Sequence, residues 1–313
     1  MARLVFMGTP QFGVPTFERL ANEHDLVGVV TQPDRPAGRG RDLRPSPVKL
    51  VALERGLPVI TPETLRALEP LAQLADWEPD LIVVAAFGQI LRQNVLDLPP
   101  HGCLNVHASL LPRWRGAAPA AAAILAGDEV TGVTIMRMDA GLDTGPILAQ
   151  CEETIEPDDT RESLEDRLAL AGAALLGETL PPYLAGEVPA QPQSEESVTH
   201  APRLRKEDGR LDWSGSAIQL DRQVRATNPW PGAFTSWQGK RLKVLRSTPL
   251  PEWQGGAPPG TVVETVEGPA VASGRGALRL DEVQLAGRRA LPGPVFVQGQ
   301  RRFVGSRLGG EGK

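Results

Sequence analysis

Apolar positions in the first half of the chain fall into short unbroken runs separated by stretches with helical spacing. Residues 4–7 (LVFM), 26–31 (LVGVVT), 59–61, 81–86 (LIVVAA), 103–107 (CLNVH) and 133–138 read as strands. The 81–86 run is apolar on consecutive positions, as expected of a parallel strand covered on both faces. Between them, residues 12–22 repeat apolar side chains at Phe12, Phe17 and Leu20. Residues 47–55 read as a short helix, and Thr64 is placed to cap a helix running to about Leu74. Residues 161–184 keep a helical period. Strands alternating with helices predict an α/β domain with a Rossmann-like parallel sheet.

The periodic signal stops near Gly186. Pro189, Pro192 and Pro202, with Glu195 and Glu196, mark an extended connector. Beyond it, strand-like runs at 242–245, 261–265, 270–272, 277–280 and 302–304 are separated by Gly/Pro turns, and residues 212–225 read as one helix. This predicts a small OB-like β-barrel, an architecture often used to bind nucleic acid. The expected domains are residues 1–186, a linker at 187–205, and residues 206–313.

Charge sharpens that division. Residues 206–313 carry 16 Lys+Arg and 10 Asp+Glu, a net of +6, whereas the preceding 205 residues carry 17 and 28, a net of −11. A basic domain on an acidic chain is a candidate polyanion surface, though an arginine-rich solvated face produces the same count. Hydrophobic residues at 41% and charged residues at 23% fit a globular protein rather than a disordered one. No apolar run is long enough to cross a bilayer, and the chain moves from Met1 straight into a strand, so neither a leader segment nor a membrane partner is expected. Cys103 and Cys151, the only cysteines, exclude a disulfide framework and suit a reducing cytoplasm.

The candidate chemistry begins at His107. It ends an apolar strand, and Asn105, two residues earlier, points to the same side. Polar side chains at the carboxyl end of a strand in an open α/β sheet lie where ligands bind. After the next strand, Asp143 sits in a glycine-flanked loop, Gly141-Leu142-Asp143-Thr144-Gly145, that can carry it toward His107. An amide, an imidazole and a carboxylate suit acyl or formyl transfer, with donors for a developing oxyanion and a carboxylate to orient or accept a proton. From the residues alone, two other readings stay open. One is a structural histidine. The other is a metal site made from His107, Asp139 and Asp143, with Asp139 otherwise bracing the turn. Residues 8–13 (GTPQFG) match neither the dinucleotide nor the P-loop glycine pattern, so they read as a tight turn. That argues against a nicotinamide oxidoreductase. The Gly/Pro-rich segment 32–49 carries Arg35, Arg39, Arg41, Arg44 and Lys49 against Asp34 and Asp42, a local net of +3. It is either a solvated loop or one that orders on an RNA backbone.

The string from His107 to Pro119, HASLLPRWRGAAP, preceded by Asn105 and followed by the 141–145 loop, resembles the folate-dependent formyltransferases. Residues 31–40 (TQPDRPAGRG), 206–213 (KEDGRLDW) and 228–233 (NPWPGA) are similar to the members of that family whose acceptor is a tRNA. The resemblance spans essentially the whole chain. It implies that Asn105, His107 and Asp143 are catalytic. It implies that Ser109, Leu110, Leu111 and Pro112 bind folate, with Phe87, Gly88 and Ile90 near the pterin. Relatives often have Tyr in place of Phe87. It further implies that Arg35, Arg39, Arg41, Arg44 and Lys49 face tRNA. The donor is then 10-formyltetrahydrofolate, a consumed cosubstrate, with no tightly bound cofactor and no metal. The acceptor is initiator methionyl-tRNA, and a monomer is expected. Two competing readings remain. A formyltransferase for a small amine would have no need of the basic 35–44 segment. A non-enzymatic nucleic-acid-binding protein would leave Asn105, His107 and Asp143 unexplained.

Overall fold

The alternation of apolar runs is realised in a computed structural model describing residues 2–37 and 42–309. In chain order the elements begin with β1 (Arg3–Gly8), α1 (Val14–Glu23), β2 (Asp25–Val30), β3 (Arg35–Ala37), β4 (Asp42–Arg44), α2 (Pro47–Glu54) and β5 (Val59–Ile60). They continue through α3 (Leu68–Asp76), β6 (Leu81–Ala85), α4 (Gln93–Leu96), β7 (Cys103–His107), β8 (Arg115–Gly116) and α5 (Pro119–Ala126). Next come β9 (Val130–Arg137), β10 (Ile147–Thr154), α6 (Arg161–Leu184), β11 (His200–Ala201), α7 (Ala217–Thr227) and β12 (Phe234–Trp237). The last are β13 (Lys240–Leu250), β14 (Val262–Thr265), β15 (Gly268–Ala272), β16 (Ala277–Leu285), β17 (Leu291–Pro292) and α8 (Gly293–Gly299).

The chain divides into two compact units. One takes the residues up to Pro119, Glu129–Thr154 and Leu164–Pro202; the other takes Ala120–Asp128, Ile155–Ser163 and the residues from Arg203 onward.

The first unit is built on a seven-stranded Rossmann-like sheet, in order β10-β9-β7-β6-β1-β2-β5. Strands β5, β2, β1, β6 and β7 are parallel, and β9 and β10 add an antiparallel edge. All five β6 residues are buried, as its unbroken apolar run requires. Val5, Met7, Ile82 and Val84 share one cluster with Leu74, Phe87 and Val95. Phe6 instead meets Phe17 of α1 edge-on at 5.8 Å. From β1 the chain builds outward to β2 and β5, then returns to β6 on the other side. The strand order therefore reverses between β1 and β6, which opens a crevice at their carboxyl ends. β7, ending in His107, lies beside it.

Two helix starts differ from the pattern. α1 begins at Val14 because residues 10–13 close a tight turn, with the Gly13 amide donating to the Pro10 carbonyl at 3.0 Å. α3 begins at Leu68, not beside Thr64, because the Thr64 hydroxyl accepts from the Arg66 amide at 3.2 Å in a local turn.

The second unit contains an antiparallel sheet, in order β12-β13-β16-β15-β14, with β17 on β16. Leu242, Val244, Leu278, Leu280 and Val283 point into one core with Trp213, Leu220 and Val224. α7 starts at Ala217, five residues later than its apolar spacing suggests. Asp212 accepts from Ser214 in a turn, and Ser216 caps the helix in a reciprocal box with Gln219. The expected strand at 302–304 is a turn. Its amides satisfy carbonyls three residues back, from Phe303 to Gln300 and from Ser306 to Phe303. Phe303 mimics a strand position because its ring is fully buried against Trp237 and Phe296, at 5.2 and 5.0 Å. Among the described residues no helix is long and apolar enough to cross a membrane.

Candidate active site

β7 delivers Asn105 and His107 to its carboxyl end on one side, both buried. Asp143 arrives from the loop joining β9 to β10. Its Oδ1 lies 3.8 Å from His107 Nδ1 and accepts from Asn105 Nδ2 at 3.4 Å. Its Oδ2 accepts from the Gly116 amide at 2.9 Å. His107 Nε2 lies 3.1 Å from the Trp114 carbonyl. A carbonyl only accepts, so Nε2 carries the proton and donates. The ring thus turns its Nδ1 edge toward Asp143. Three side chains separated by up to 38 positions meet around one carboxylate.

The backbone around them is strained. Among the described residues, five non-glycines have positive φ, and Ala86, Trp114 and Asp143 are three of them, at 51°, 62° and 53°. Such conformations cost on the order of 1–3 kcal/mol and persist where surroundings over-determine them. The Asp143 loop is held in that way. Asp139 Oδ1 accepts from the Gly141 amide at 3.0 Å and the Thr144 hydroxyl at 2.6 Å, so Asp139 braces the turn. A Cβ at Gly145 would collide with the Arg137 carbonyl, and one at Gly141 with the Thr144 hydroxyl.

The segment after His107 curls back over β9. Ser109 is buried, and its hydroxyl donates to the Arg113 carbonyl at 2.6 Å. Thr134, paired across the sheet with His107, donates to the Ser109 carbonyl at 2.7 Å and accepts from the Leu111 amide at 3.0 Å. Gln150 donates to the Leu111 carbonyl and to Thr134, at 3.0 and 2.9 Å. Leu111 is buried, while Leu110 and Pro112 are half-buried. In the loop after β6, Phe87 is buried, Gly88 is exposed and Ile90 is 80% exposed. The Phe87 carbonyl accepts from Thr9 and Gln32, at 3.0 and 3.3 Å, which ties that loop to the segments that follow β1 and β2.

The basic segment is partly a β3–β4 hairpin pairing Arg35 with Arg44. Both are exposed, and Arg35 donates to Gln32 at 3.3 Å. Arg39 and Arg41 lie outside the described residues. Lys49 is on α2, with its ammonium bonded to both oxygens of Asp34, at 2.7 and 2.8 Å. The structure therefore brings Asn105, His107 and Asp143 together, while Arg35, Arg44 and Lys49 form a separate group on the hairpin and the helix after it.

Several residues that hold the site escape a reading of the sequence. Thr134 carries a signal, a hydroxyl inside the apolar run of β9. Trp114 and Gly116 act through backbone groups, and Gln193 lies in the connector, where no periodicity marks it. Beneath the site, burial pushes the Cys103 thiol up to about 12, and Cys151 is raised for the same reason.

Comparison with known proteins covers most of the chain. The formyl transferase family model matches residues 2–180, and the formyl transferase C-terminal domain model matches residues 203–301. The chain is 49% identical over 310 residues to the methionyl-tRNA formyltransferase of Roseiflexus castenholzii, covering 98% of this chain and 99% of that one. It is 50% identical over 311 residues to the methionyl-tRNA formyltransferase of Symbiobacterium thermophilum, covering 98% and 95%. Among solved structures, an N-formyltransferase from Helicobacter canadensis in complex with folinic acid and dTDP-3-aminofucose has a TM-score of 0.66 at 20% identity, covering 92% of this chain and 100% of that one. HypX from Aquifex aeolicus in complex with tetrahydrofolic acid has a TM-score of 0.62 at 20% identity, covering 97% of this chain and 48% of that one, so this chain spans about half of HypX. At such identities these two show a shared fold. The family models and the near-full-length relatives place this chain in the formyl transferase family.

Proposed function

We propose that this protein transfers the formyl group of 10-formyltetrahydrofolate to the α-amino group of methionyl initiator tRNA. The observation that carries the chemistry is the convergence of Asn105, His107 and Asp143 at the carboxyl edge of the sheet. The acceptor is argued from near-full-length identity to methionyl-tRNA formyltransferases.

The neutral amine attacks the formyl carbon, and the carbonyl electron pair moves onto oxygen. Asn105 Nδ2 has a second hydrogen beyond the one given to Asp143. With Nε2 committed to Trp114, His107 donates from Nδ1 when its ring is doubly protonated. Both are aimed at the oxyanion of the tetrahedral intermediate. Asp143 takes the proton released by the amine, directly or through water. Collapse re-forms the carbonyl, breaks the bond to N10 and passes to N10 the proton that Asp143 took up, so that tetrahydrofolate leaves neutral at N10. Ser109, Leu110, Leu111 and Pro112 form the folate wall, and Phe87, Gly88 and Ile90 line the pterin end.

In this reading, residues 1–186 are the catalytic domain and 187–205 a linker. Residues 206–313 form an OB-like barrel that contributes phosphate contacts. Arg35, Arg39, Arg41 and Arg44 meet the tRNA backbone, with Lys49 orienting the hairpin through Asp34. The enzyme works as a cytoplasmic monomer. Incubating the protein with formylfolate and methionyl-tRNA, then weighing the released amino acid, tests the proposal. Formyl-methionine is expected from charged tRNA only. Transfer to an amino sugar but not to methionyl-tRNA would reject the acceptor.

A further inference from the structure

Residues 187–202, expected as part of a linker, belong to the first unit and make contacts that a linker does not need. Gln193 is half-buried against the Asp143 loop. Its Nε2 donates to the carbonyls of Asp143 at 2.8 Å and Gly145 at 2.7 Å, using both amide hydrogens. Its Oε1 accepts from Arg115 Nε at 3.0 Å. The guanidinium of Arg115 is itself buried and reaches Glu195 at 3.3 Å. The Arg115 amide donates to the Thr199 carbonyl at 2.9 Å, and the Thr199 hydroxyl accepts from the Trp114 amide at 2.8 Å. Gln191 exchanges two backbone bonds with Ile147, each 2.8 Å, just beyond the same loop. The segment 191–201 therefore grips both arms of the site. One arm carries Asp143. The other carries Trp114, whose carbonyl fixes His107, and Gly116, whose amide fixes Asp143.

Resting on the transfer reading above, we propose that Gln193, anchored by Arg115, is a positioning residue that sets the Asp143 carboxylate for formyl transfer. Asp143 has a positive φ, a conformation with a local energetic cost that the loop must be held in. Gln193 is the side chain that satisfies the Asp143 carbonyl from the connector side. A carboxamide is required. Two carbonyls need two donors and the guanidinium needs an acceptor, and among side chains of this length only glutamine supplies both. A carboxylate of the same size would keep Arg115 but turn an acceptor toward two acceptors.

The test uses the full chain with Gln193→Glu and Gln193→Ala, assayed with formylfolate and methionyl-tRNA. Misplacing a catalytic group by about 1 Å costs on the order of 10²-fold, so kcat should fall by about that factor in both variants. KM for the folate donor should stay near the parent value, and the thermal transition should remain cooperative. In an Asp143→Ala background, Gln193→Ala should cost little further, because the residue acts through Asp143. Three results overturn the proposal: parent-like kcat in the variants, a full additional loss in the Asp143→Ala background, or loss of folding in both variants, which would make the role structural. Failure of the parent protein to formylate would instead reject the transfer reading itself.

Discussion

The two units spend their buried groups differently. In the second, Trp237, Phe296 and Phe303 pack edge-to-face among Leu242, Leu278 and Leu280. In the first, the carboxyl edge of the sheet holds Asn105, His107, Ser109, Arg115 and Thr134, all buried and polar. A missing partner for such a group costs about 1–3 kcal/mol, and each of these five has one. Apolar packing tolerates small displacements. A web of directed hydrogen bonds does not, so it fixes where a carboxylate sits to within the reach of a reacting atom. The aromatic core is a device for stability and the polar edge a device for position.

If that contrast holds, a core substitution damages stability and an edge substitution damages rate. Phe303→Ala should cost about 3–5 kcal/mol in denaturant unfolding, as truncations of buried aromatic rings do. A cost typical of surface positions would break the comparison. His107→Ala and Asn105→Ala should each lower transfer by roughly 10²–10³-fold, the cost of losing one oxyanion donor, with thermal midpoints close to the parent's. Unfolding of either would show that the edge is structural.

A pH effect sharpens the picture beneath the site. The Cys103 thiol, raised by burial from 9.0 to about 12, keeps its proton in the folded protein while the unfolded chain loses it above 9. The unfolded state then binds fewer protons, so stability falls as pH rises from about 9 toward 12, by up to about 1.4 kcal/mol per unit. Cys103→Ala should flatten this slope in unfolding curves, and an unchanged slope would remove Cys103 as its source. The smallest effect concerns the hairpin. Arg35→Ala with Arg44→Ala should reduce the salt dependence of tRNA binding by a slope of about 1–2, near 0.9 for each phosphate that is no longer neutralised. Folate use should be unaffected, and equal weakening for both ligands would place those arginines elsewhere.

Much of the polar edge is legible in the sequence. The apolar run of β6 and the two-residue spacing of Asn105 and His107 define a buried strand and a shared side, because both signals are local. Asp143 is legible through the glycines around it. Gln193 and Thr199 are not, since their partners lie between 48 and 85 positions away and nothing in a Pro-rich connector marks a side chain as bonded. The start of α7 departs from the pattern for a related reason. Asp212 and Ser216 are both cap-forming residues, and which one caps depends on the turn that Ser214 closes. Residues 302–304 show the limit of hydrophobic pattern, since a buried ring in a short basic and apolar run looks alike in a strand and in a turn.

The central claim is that Asn105, His107 and Asp143 surround the carbon that is transferred. A crystal structure of the protein with a non-transferable formylfolate analogue tests it most directly. The account predicts the formyl carbon about 3–3.5 Å from the position open to the attacking amine, with its oxygen facing Asn105 Nδ2 and the Nδ1 edge of His107. A folate seated with its formyl group away from the end of β7, in a complex that turns over when the natural donor is supplied, would contradict it.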